Sequence, residues 1–229
     1  MAPFVLVAMV ATTRPRAFLG SERLDAILDV VGLVVAISGQ ALRVLVIGLA
    51  YIKRGGRNRR IAADRLVSDG VFAHCRNPLY VGNFLMVLGL TLIWNSPWVY
   101  AAVLPVVGFA FLSIVRAEEV FLSGRFGVEY EEYCSRVPRF VPDFTGFGRT
   151  WARFEFDWRR VLRKEYGTTF SLFSTISALI ALEKVERLGV SGASPVLRWL
   201  AIAWFSAGIF WASGRWLKKS GRLGTDEAS

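Results

Sequence analysis

The chain alternates long apolar runs with short polar segments. Five runs stand out, at residues 27–52, 80–95, 97–115, 168–182 and 195–213. About 20 apolar residues in a helix cross the hydrocarbon core of a bilayer, and about 17 is the short limit. A sixth run, residues 3–13, is too short to assign and fits a short span or an interfacial segment. The pattern predicts an all-α polytopic membrane protein with five or six transmembrane helices.

Charge sets the expected orientation of these helices. The connection at residues 53–79 contains seven basic and only two acidic residues, which by the positive-inside rule places it in the cytoplasm. Residues 183–187 balance their charges and fit the outer face, whereas residues 215–222 are basic again. The net charge of +10 lies beside apolar runs, which favours a membrane surface over nucleic acid as the partner.

Aromatic and basic residues interleave at residues 151–164. Trp151, Phe154, Trp158 and Leu162 share one face if this stretch is a single helix. Single-stranded nucleic acid is bound by such patterns, but an interfacial amphipathic helix explains this one more simply. We therefore predict membrane contact here and no nucleic-acid partner.

A few residues interrupt the apolar runs. Arg43 lies deep in the first run, where a charge costs at least about 2.5 kcal/mol, so it either faces the helix bundle or a polar cavity, or snorkels from a tilted helix. Gly82, Gly89 and Gly108 would permit close approach between helices. A chain with one histidine and two unpaired cysteines, Cys75 and Cys134, gives no reason to expect a metal site or a disulfide.

The segment at residues 70–82 differs in chemistry from the rest of the chain. Asn77-Pro78 predicts a helix start at the membrane surface, with Asn77 as its cap and with free N–H groups and a positive dipole end directed at the loop. Farther along, residues 116–142 predict one amphipathic helix. Its apolar stripe consists of Leu122, Phe126, Tyr130, Tyr133 and Val137.

These two segments carry a family resemblance. The run Arg76-Asn77-Pro78-Leu79-Tyr80-Val81-Gly82, followed by Glu118-Glu119 and by residues 126–142 with Arg136-Val137-Pro138, resembles the isoprenylcysteine carboxyl methyltransferase and phospholipid methyltransferase superfamily of integral-membrane methyltransferases. The resemblance covers roughly residues 60–142. Asn77 stands where the family pattern usually has histidine.

The resemblance implies methyl transfer from S-adenosyl-L-methionine to a lipid or prenylated acceptor on the cytoplasmic face. Adjacent Glu118 and Glu119 cannot face one side, so one is expected at the cofactor amine or ribose and the other on Arg76 or Arg116. Arg136 resembles the family arginine suspected of holding an acceptor carboxylate, although it could form an ion pair with Glu131 or Glu132 instead. The predicted catalytic residues are Arg136 and Glu119, and the predicted cofactor-binding residues are Gly70, Phe72, Arg76, Asn77, Tyr80, Gly82, Glu118 and Glu119.

Three alternatives to this function remain open. The acceptor could be a phospholipid amine. The protein could instead resemble membrane sterol or enone reductases, which use NADPH and are similar around the Arg-Val-Pro stretch, or it could be a non-enzymatic membrane protein that keeps the fold. No Walker, HExxH or nucleophile-elbow pattern occurs in the sequence, and no GxGxxG follows a strand.

We expect a methyltransferase-like core at residues 1–142 and, at residues 143–229, an interfacial helix, a transmembrane hairpin of unassigned role and a basic tail. The oligomeric state is not predicted.

Overall fold

A computed structural model describes residue 13 and residues 21–49, 66–153 and 155–220. Within this part of the chain, all regular structure is helical, which confirms the all-α prediction. The α-helices are α1 (Glu22–Leu49), α2 (Pro78–Trp94), α3 (Leu104–Phe126), α4 (Val128–Arg136), α5 (Phe147–Arg153) and α6 (Trp158–Lys219). A 3₁₀ turn spans Gly70–Ala73, and a π-helical turn at Val99–Val103 leads into α3.

Three helical stretches among the described residues are long and apolar enough to cross a membrane: Arg23–Leu49, Val99–Phe126 and Trp158–Lys219. Helix α2 is apolar as well but has only 17 residues. The predicted runs at residues 80–95 and 97–115 thus coincide with α2 and with the π-turn plus α3. The predicted run at residues 27–52 coincides with α1 as far as residue 49, and its last three residues lie outside the described part of the chain. Except for residue 13, the short run at residues 3–13 lies outside the described residues, so its alternatives stay open.

Two pairs of glycines bring α1 and α2 into direct backbone contact. A Cβ atom on Gly39 would lie 2.6 Å from the carbonyl oxygen of Gly82, and one on Gly89 would lie 2.4 Å from that of Gly32. Real side chains do not tolerate such distances, so only glycine permits this packing. The prediction of close helix approach is confirmed for Gly82 and Gly89. It is wrong for Gly108, which has no atom of another segment within 4 Å among the described residues.

The arginine in the first apolar run points into the bundle. Arg43 Nη2 lies 2.6 Å from Glu165 Oε1, Arg43 Nε lies 3.0 Å from Glu165 Oε2, and Arg43 Nη1 donates to Asn83 Oδ1 at 2.6 Å. Gln40 also donates to Glu165. The glutamate side chain is 3% exposed, so the arginine compensates a carboxylate that would be costly to bury alone. The Arg43–Glu165 contact holds α6 against α1 and α2. Of the two alternatives for Arg43, facing the bundle or snorkelling from a tilted helix, the first is confirmed.

Helix α6 is two antiparallel arms. Gly189 adopts φ 67° and ψ 170°, which breaks the helix between residues 158–188, the first arm, and residues 190–219, the second arm. The arms pack through Tyr166 and Phe170 on Trp211, and Trp204 Nε1 donates to Ser174 Oγ. The two predicted C-terminal runs therefore form the expected hairpin.

Two details of the C-terminal prediction are wrong. Residues 183–187 continue the first arm as helix instead of forming a loop, because the break comes only at Gly189. Residues 151–162 are not one helix either, because α5 ends at Arg153 and Asp157 caps α6, accepting the N–H of Arg160 at 2.9 Å. Phe154 lies outside the described residues.

A second polar cluster lies at the end of the bundle opposite the start of α2. Asp25 accepts from Asn95 Nδ2 at 2.8 Å and forms an ion pair with Arg187, and Arg187 also contacts Glu183 at 3.3 Å. Asp25, Asp29 and Glu183 bring carboxylate oxygens within 4.8 Å of one another. Arginine pairing lowers the cost of this grouping and joins the first arm of α6 to the beginning of α1.

The glycine contacts between α1 and α2 make a direct prediction. Gly39→Leu forces a side chain into the backbone of α2, and overpacking of this kind typically costs about 1–3 kcal/mol or more. We expect a lower thermal midpoint in detergent, or loss of the monodisperse protein by size-exclusion chromatography. Gly108→Leu is the matched control and should behave as wild type. Equal midpoints for both variants would contradict the packing.

Candidate functional site

The start of α2 lies where the sequence places it, but Asn77 acts differently from a side-chain cap. The Asn77 side chain donates to Arg139 O at 3.3 Å and makes no capping hydrogen bond. The N–H groups of Tyr80 and Val81 both donate to Asn77 O at 3.1 Å, so these groups are not directed at the loop as predicted. Asn77 therefore ties the beginning of α2 to residue 139.

A glycine turns the second block back toward the first. Gly127 adopts φ 51° and separates α3 from α4, so the predicted single helix over residues 116–142 is wrong. The predicted apolar stripe is confirmed, since Tyr130, Tyr133 and Val137 are buried in one cluster with Leu122 and Phe126 packed on it. The stripe sets α4 against the loop that precedes α2.

Two hydrogen bonds hold α4 and the residues after it on that loop. Tyr133 donates its hydroxyl to Phe72 O at 2.8 Å, and Arg76 N–H donates to Pro138 O at 2.9 Å. Burial, foremost, and the neighbouring Cys75 and Tyr130 raise the pKa of Tyr133, so its hydroxyl stays protonated and remains a donor. These hydrogen bonds therefore hold the two blocks in contact, with α4 and the residues after it against the loop that precedes α2.

Glu119 is the point where the blocks meet. Its Oε1 accepts from Arg76 Nη1 at 3.2 Å and from Arg139 Nε at 2.9 Å, and its Oε2 accepts from Arg139 Nη2 at 2.5 Å. The Arg139 contact is bidentate, the geometry in which guanidinium and carboxylate bind best. One carboxylate thus binds two arginines, and the group carries a net positive charge.

The neighbouring carboxylate points elsewhere. Tyr80 donates its hydroxyl to Glu118 Oε1 at 3.1 Å, and the Tyr80 ring lies 6.1 Å from that of Phe111. The two adjacent glutamates therefore diverge as expected, and the pairing of one of them with Arg76 is found at Glu119. The structure thus pairs Glu118 on α3 with Tyr80 in the first turn of α2.

Arg76 is well suited to bind a further anion or hydrogen-bond acceptor. Its side chain is 15% exposed, and its Nε is buried without a hydrogen-bond partner among the described residues. Burial opposes the charged form, but the nearby Cys134, whose Sγ lies 2.9 Å from Nη1, and Glu119 raise the pKa of Arg76 overall. The guanidinium therefore stays charged and has an unused N–H.

The remaining predicted site residues fall into two groups. Gly70, with φ 61°, and Phe72 are buried residues of the loop itself, in its 3₁₀ turn, and Gly82 lies against Gly39 and Arg43. They support the loop and the helix pair, and their predicted contact with a cofactor stays a prediction.

Arg136 does not join the two-arginine group. It is exposed, and its Nε donates to Glu132 O at 3.3 Å on its own helix. The second arginine on Glu119, besides Arg76, is Arg139, three residues after Arg136, and it was not predicted from the sequence. Its position directly after Pro138, where α4 has ended and the chain is extended toward α2, is the signal that could have found it.

The single histidine has a structural position. His74 is 6% exposed, with Nδ1 2.6 Å from Asp143 O and Nε2 2.8 Å from Thr150 Oγ1. A carbonyl oxygen only accepts, so Nδ1 carries a proton. Because both ring nitrogens are engaged, His74 holds α5 and the segment before it against the loop.

Comparison with known proteins agrees with this geometry. Residues 29–129 match the model of the family described as phospholipid methyltransferase. The chain is 36% identical over 111 residues to the protein-S-isoprenylcysteine O-methyltransferase of Schizosaccharomyces pombe, covering 45% of each chain. It is 31% identical over 121 residues to the human protein of that name, covering 52% of this chain and 43% of the relative.

A bacterial protein of another description is similar too. The cobalt-zinc-cadmium resistance protein CzcN of Cupriavidus metallidurans is 38% identical over 79 residues, which are 34% of this chain and 36% of that protein. The chain thus spans less than half the length of each of these three relatives. No solved structure matches with significance.

These matches confirm the resemblance to the isoprenylcysteine and phospholipid methyltransferase superfamily of membrane proteins. The family match contains Arg76, Asn77, Tyr80, Glu118 and Glu119. It ends before Arg139 and before α6, so the second arginine and the hairpin are features that the structure adds.

The two cysteines of the site should differ in reactivity. Cys75 is 1% exposed, and burial raises the pKa of its thiol, whereas Cys134 is partly exposed beside the Arg76 guanidinium. Iodoacetamide at pH 8 should therefore alkylate Cys134 first in the folded protein, as measured by peptide mass spectrometry. Equal rates before unfolding would contradict this burial, and equal rates in denaturant are the control.

Proposed function

We propose that this protein transfers a methyl group from S-adenosyl-L-methionine to a lipidated acceptor at the membrane surface. The observation that carries the proposal is the meeting of Arg76, Glu119 and Arg139, which joins the two blocks of the methyltransferase resemblance. The region of the family match and the isoprenylcysteine O-methyltransferase relatives support the same reaction.

The residues present fit such a donor. S-adenosyl-L-methionine has a carboxylate, an ammonium group and a ribose. Arg76, with its buried unused Nε, would hold the donor's carboxylate, and Glu118 with Tyr80 would hold its ammonium group or its ribose. Glu119, whose two oxygens are already bound by the two arginines, orients these arginines and would make only a peripheral contact with the donor.

The donor supplies an electrophilic methyl group on a sulfonium sulfur. In the proposed reaction an acceptor carboxylate oxygen forms the new O–CH₃ bond while the S–CH₃ bond breaks, S-adenosylhomocysteine leaves, and no proton moves. The protein then needs to position the acceptor and offset its charge. Arg139 is 36% exposed and its outer side is accessible, so we assign the acceptor carboxylate to Arg139 ahead of the predicted Arg136.

A phospholipid amine is the second candidate acceptor, favoured by the description of the matching family. An amine must lose a proton before or during attack, and a histidine is the usual base at neutral pH. His74 is the single histidine, and both of its ring nitrogens are engaged away from Glu119. The net positive charge of the group Arg76, Glu119 and Arg139, together with the engaged ring of His74, favours a carboxylate acceptor.

Donor binding is tested by the thermal shift of detergent-purified full-length protein with S-adenosylhomocysteine. Wild type should be stabilised, and Glu119→Gln should weaken binding at least tenfold, because both arginines lose the anion that orients them. Glu131→Gln, an exposed carboxylate on α4, is the matched control. Equal shifts in wild type and Glu119→Gln, or stabilisation by NADPH instead, would reject the proposal.

Acceptor handling is tested by turnover with N-acetyl-S-farnesyl-L-cysteine and radiolabelled donor. Arg139→Ala should reduce methyl transfer about 100-fold, the usual effect of removing one charge-stabilising donor. Arg136→Ala should stay within about twofold, because Arg136 contacts its own helix. The opposite order of the two variants would return the role to Arg136, and phosphatidylethanolamine as the preferred acceptor would favour the second candidate.

A further inference from the structure

A partly open cavity of about 460 Å³ lies between helices α1, α2, α3 and α6. Four helices contribute to its wall: Arg43 from α1, Asn83 and Leu90 from α2, Phe111 from α3, and Gly167 and Ser171 from the first arm of α6. Its volume is within the range of sites that enclose small ligands. The family match and the described site leave this cavity without a role.

The cavity runs along α2 away from the site. Asn83 and Leu90 are seven residues apart, which at 1.5 Å per residue is about 10 Å along the helix axis. Phe111 lines the cavity and also packs on Tyr80, the partner of Glu118. The end at Asn83 therefore lies one helical turn from the proposed donor site, and the other end lies farther along the apolar helix α2.

The chemistry of the wall suits a hydrocarbon chain. Beyond Arg43 and Asn83, the wall from α2, α3 and α6 is mainly apolar, with small hydroxyl residues on α6. The charge of Arg43 is already compensated by the bidentate contact with Glu165, and Asn83 accepts from it. The cavity thus offers no uncompensated charge to an ionic ligand, while an apolar chain gains from leaving water or the interface.

The first arm of α6 determines how much room the cavity offers a hydrocarbon chain. Among the residues that the structure describes, no atom of another segment lies within 4 Å of the position of a Cβ on Gly167, so its face of the helix opens into the cavity. The Arg43–Glu165 contact fixes this arm two residues earlier. A larger side chain at residue 167 would occupy the cavity without disturbing the packing of the arm.

We propose that the C-terminal hairpin, which lies outside the family match, forms the size-determining wall of the binding site for the acceptor's hydrocarbon chain. The inference rests on the proposed function and adds the element that selects the acceptor. Gly167 and Ser171 set the space for the chain, and Phe111 connects that space to Tyr80. The acceptor's hydrocarbon chain lies along α2, and the reactive end of the acceptor lies toward Arg139.

Direct binding tests this assignment. The full-length protein in detergent is titrated with tritiated N-acetyl-S-farnesyl-L-cysteine, without donor, so that the readout is affinity. Gly167→Leu should weaken binding at least tenfold by filling the cavity, and Ser171→Leu should act in the same direction. Gly208→Leu is the matched control, because Gly208 is on the same hairpin, has equally open surroundings, and does not line the cavity. It should bind as wild type.

S-adenosylhomocysteine binding separates the two levels of the proposal. All three variants should keep the wild-type affinity for S-adenosylhomocysteine, which also shows that they are folded. Unchanged farnesyl affinity in Gly167→Leu, or no farnesyl binding to a wild type that binds S-adenosylhomocysteine, would overturn the hairpin assignment alone. No S-adenosylhomocysteine binding to wild type would instead overturn the proposed function.

Discussion

The candidate site depends on one carboxylate that is shared by two arginines. Glu119 is on the last turns of α3, Arg76 precedes α2, and Arg139 follows α4, so a single group joins three segments that are distant in sequence. Its side chain is 12% exposed, and a carboxylate so placed needs compensation. The compensation also fixes the positions of the two arginines, and the proposed donor site depends on that constraint.

The helices beneath the site follow from a second constraint, close backbone packing. The glycine contacts between α1 and α2 leave no room for side chains, and Gly82 contacts Arg43 as well as Gly39. This brings Arg43 within reach of Glu165 on α6 and Asn83 on α2. The same contacts leave the cavity between α2, α3 and α6, so the packing of the family region and the position of the hairpin are linked.

The apolar runs predicted the helices well because membrane-spanning segments are encoded by composition over many residues. The breaks were harder to predict, since each depends on a single backbone conformation: Gly127 ends α3 and Gly189 divides α6, but neither differs in the sequence from glycines within helices. For the site, the diverging roles of Glu118 and Glu119 followed from helix geometry. Arg139 was not chosen over Arg136, because the extended chain that brings Arg139 to Glu119 is marked in the sequence only by the preceding Pro138.

The central claim is that residues 70–82 and residues 116–139 together bind the methyl donor. Amide hydrogen exchange of the full-length protein, with and without S-adenosylhomocysteine, tests it most directly, because exchange reports which segments become ordered on binding. The account predicts slower exchange in both segments at once, with no change at residues 190–219. Protection of only one segment, or protection confined to another part of the chain, would contradict it.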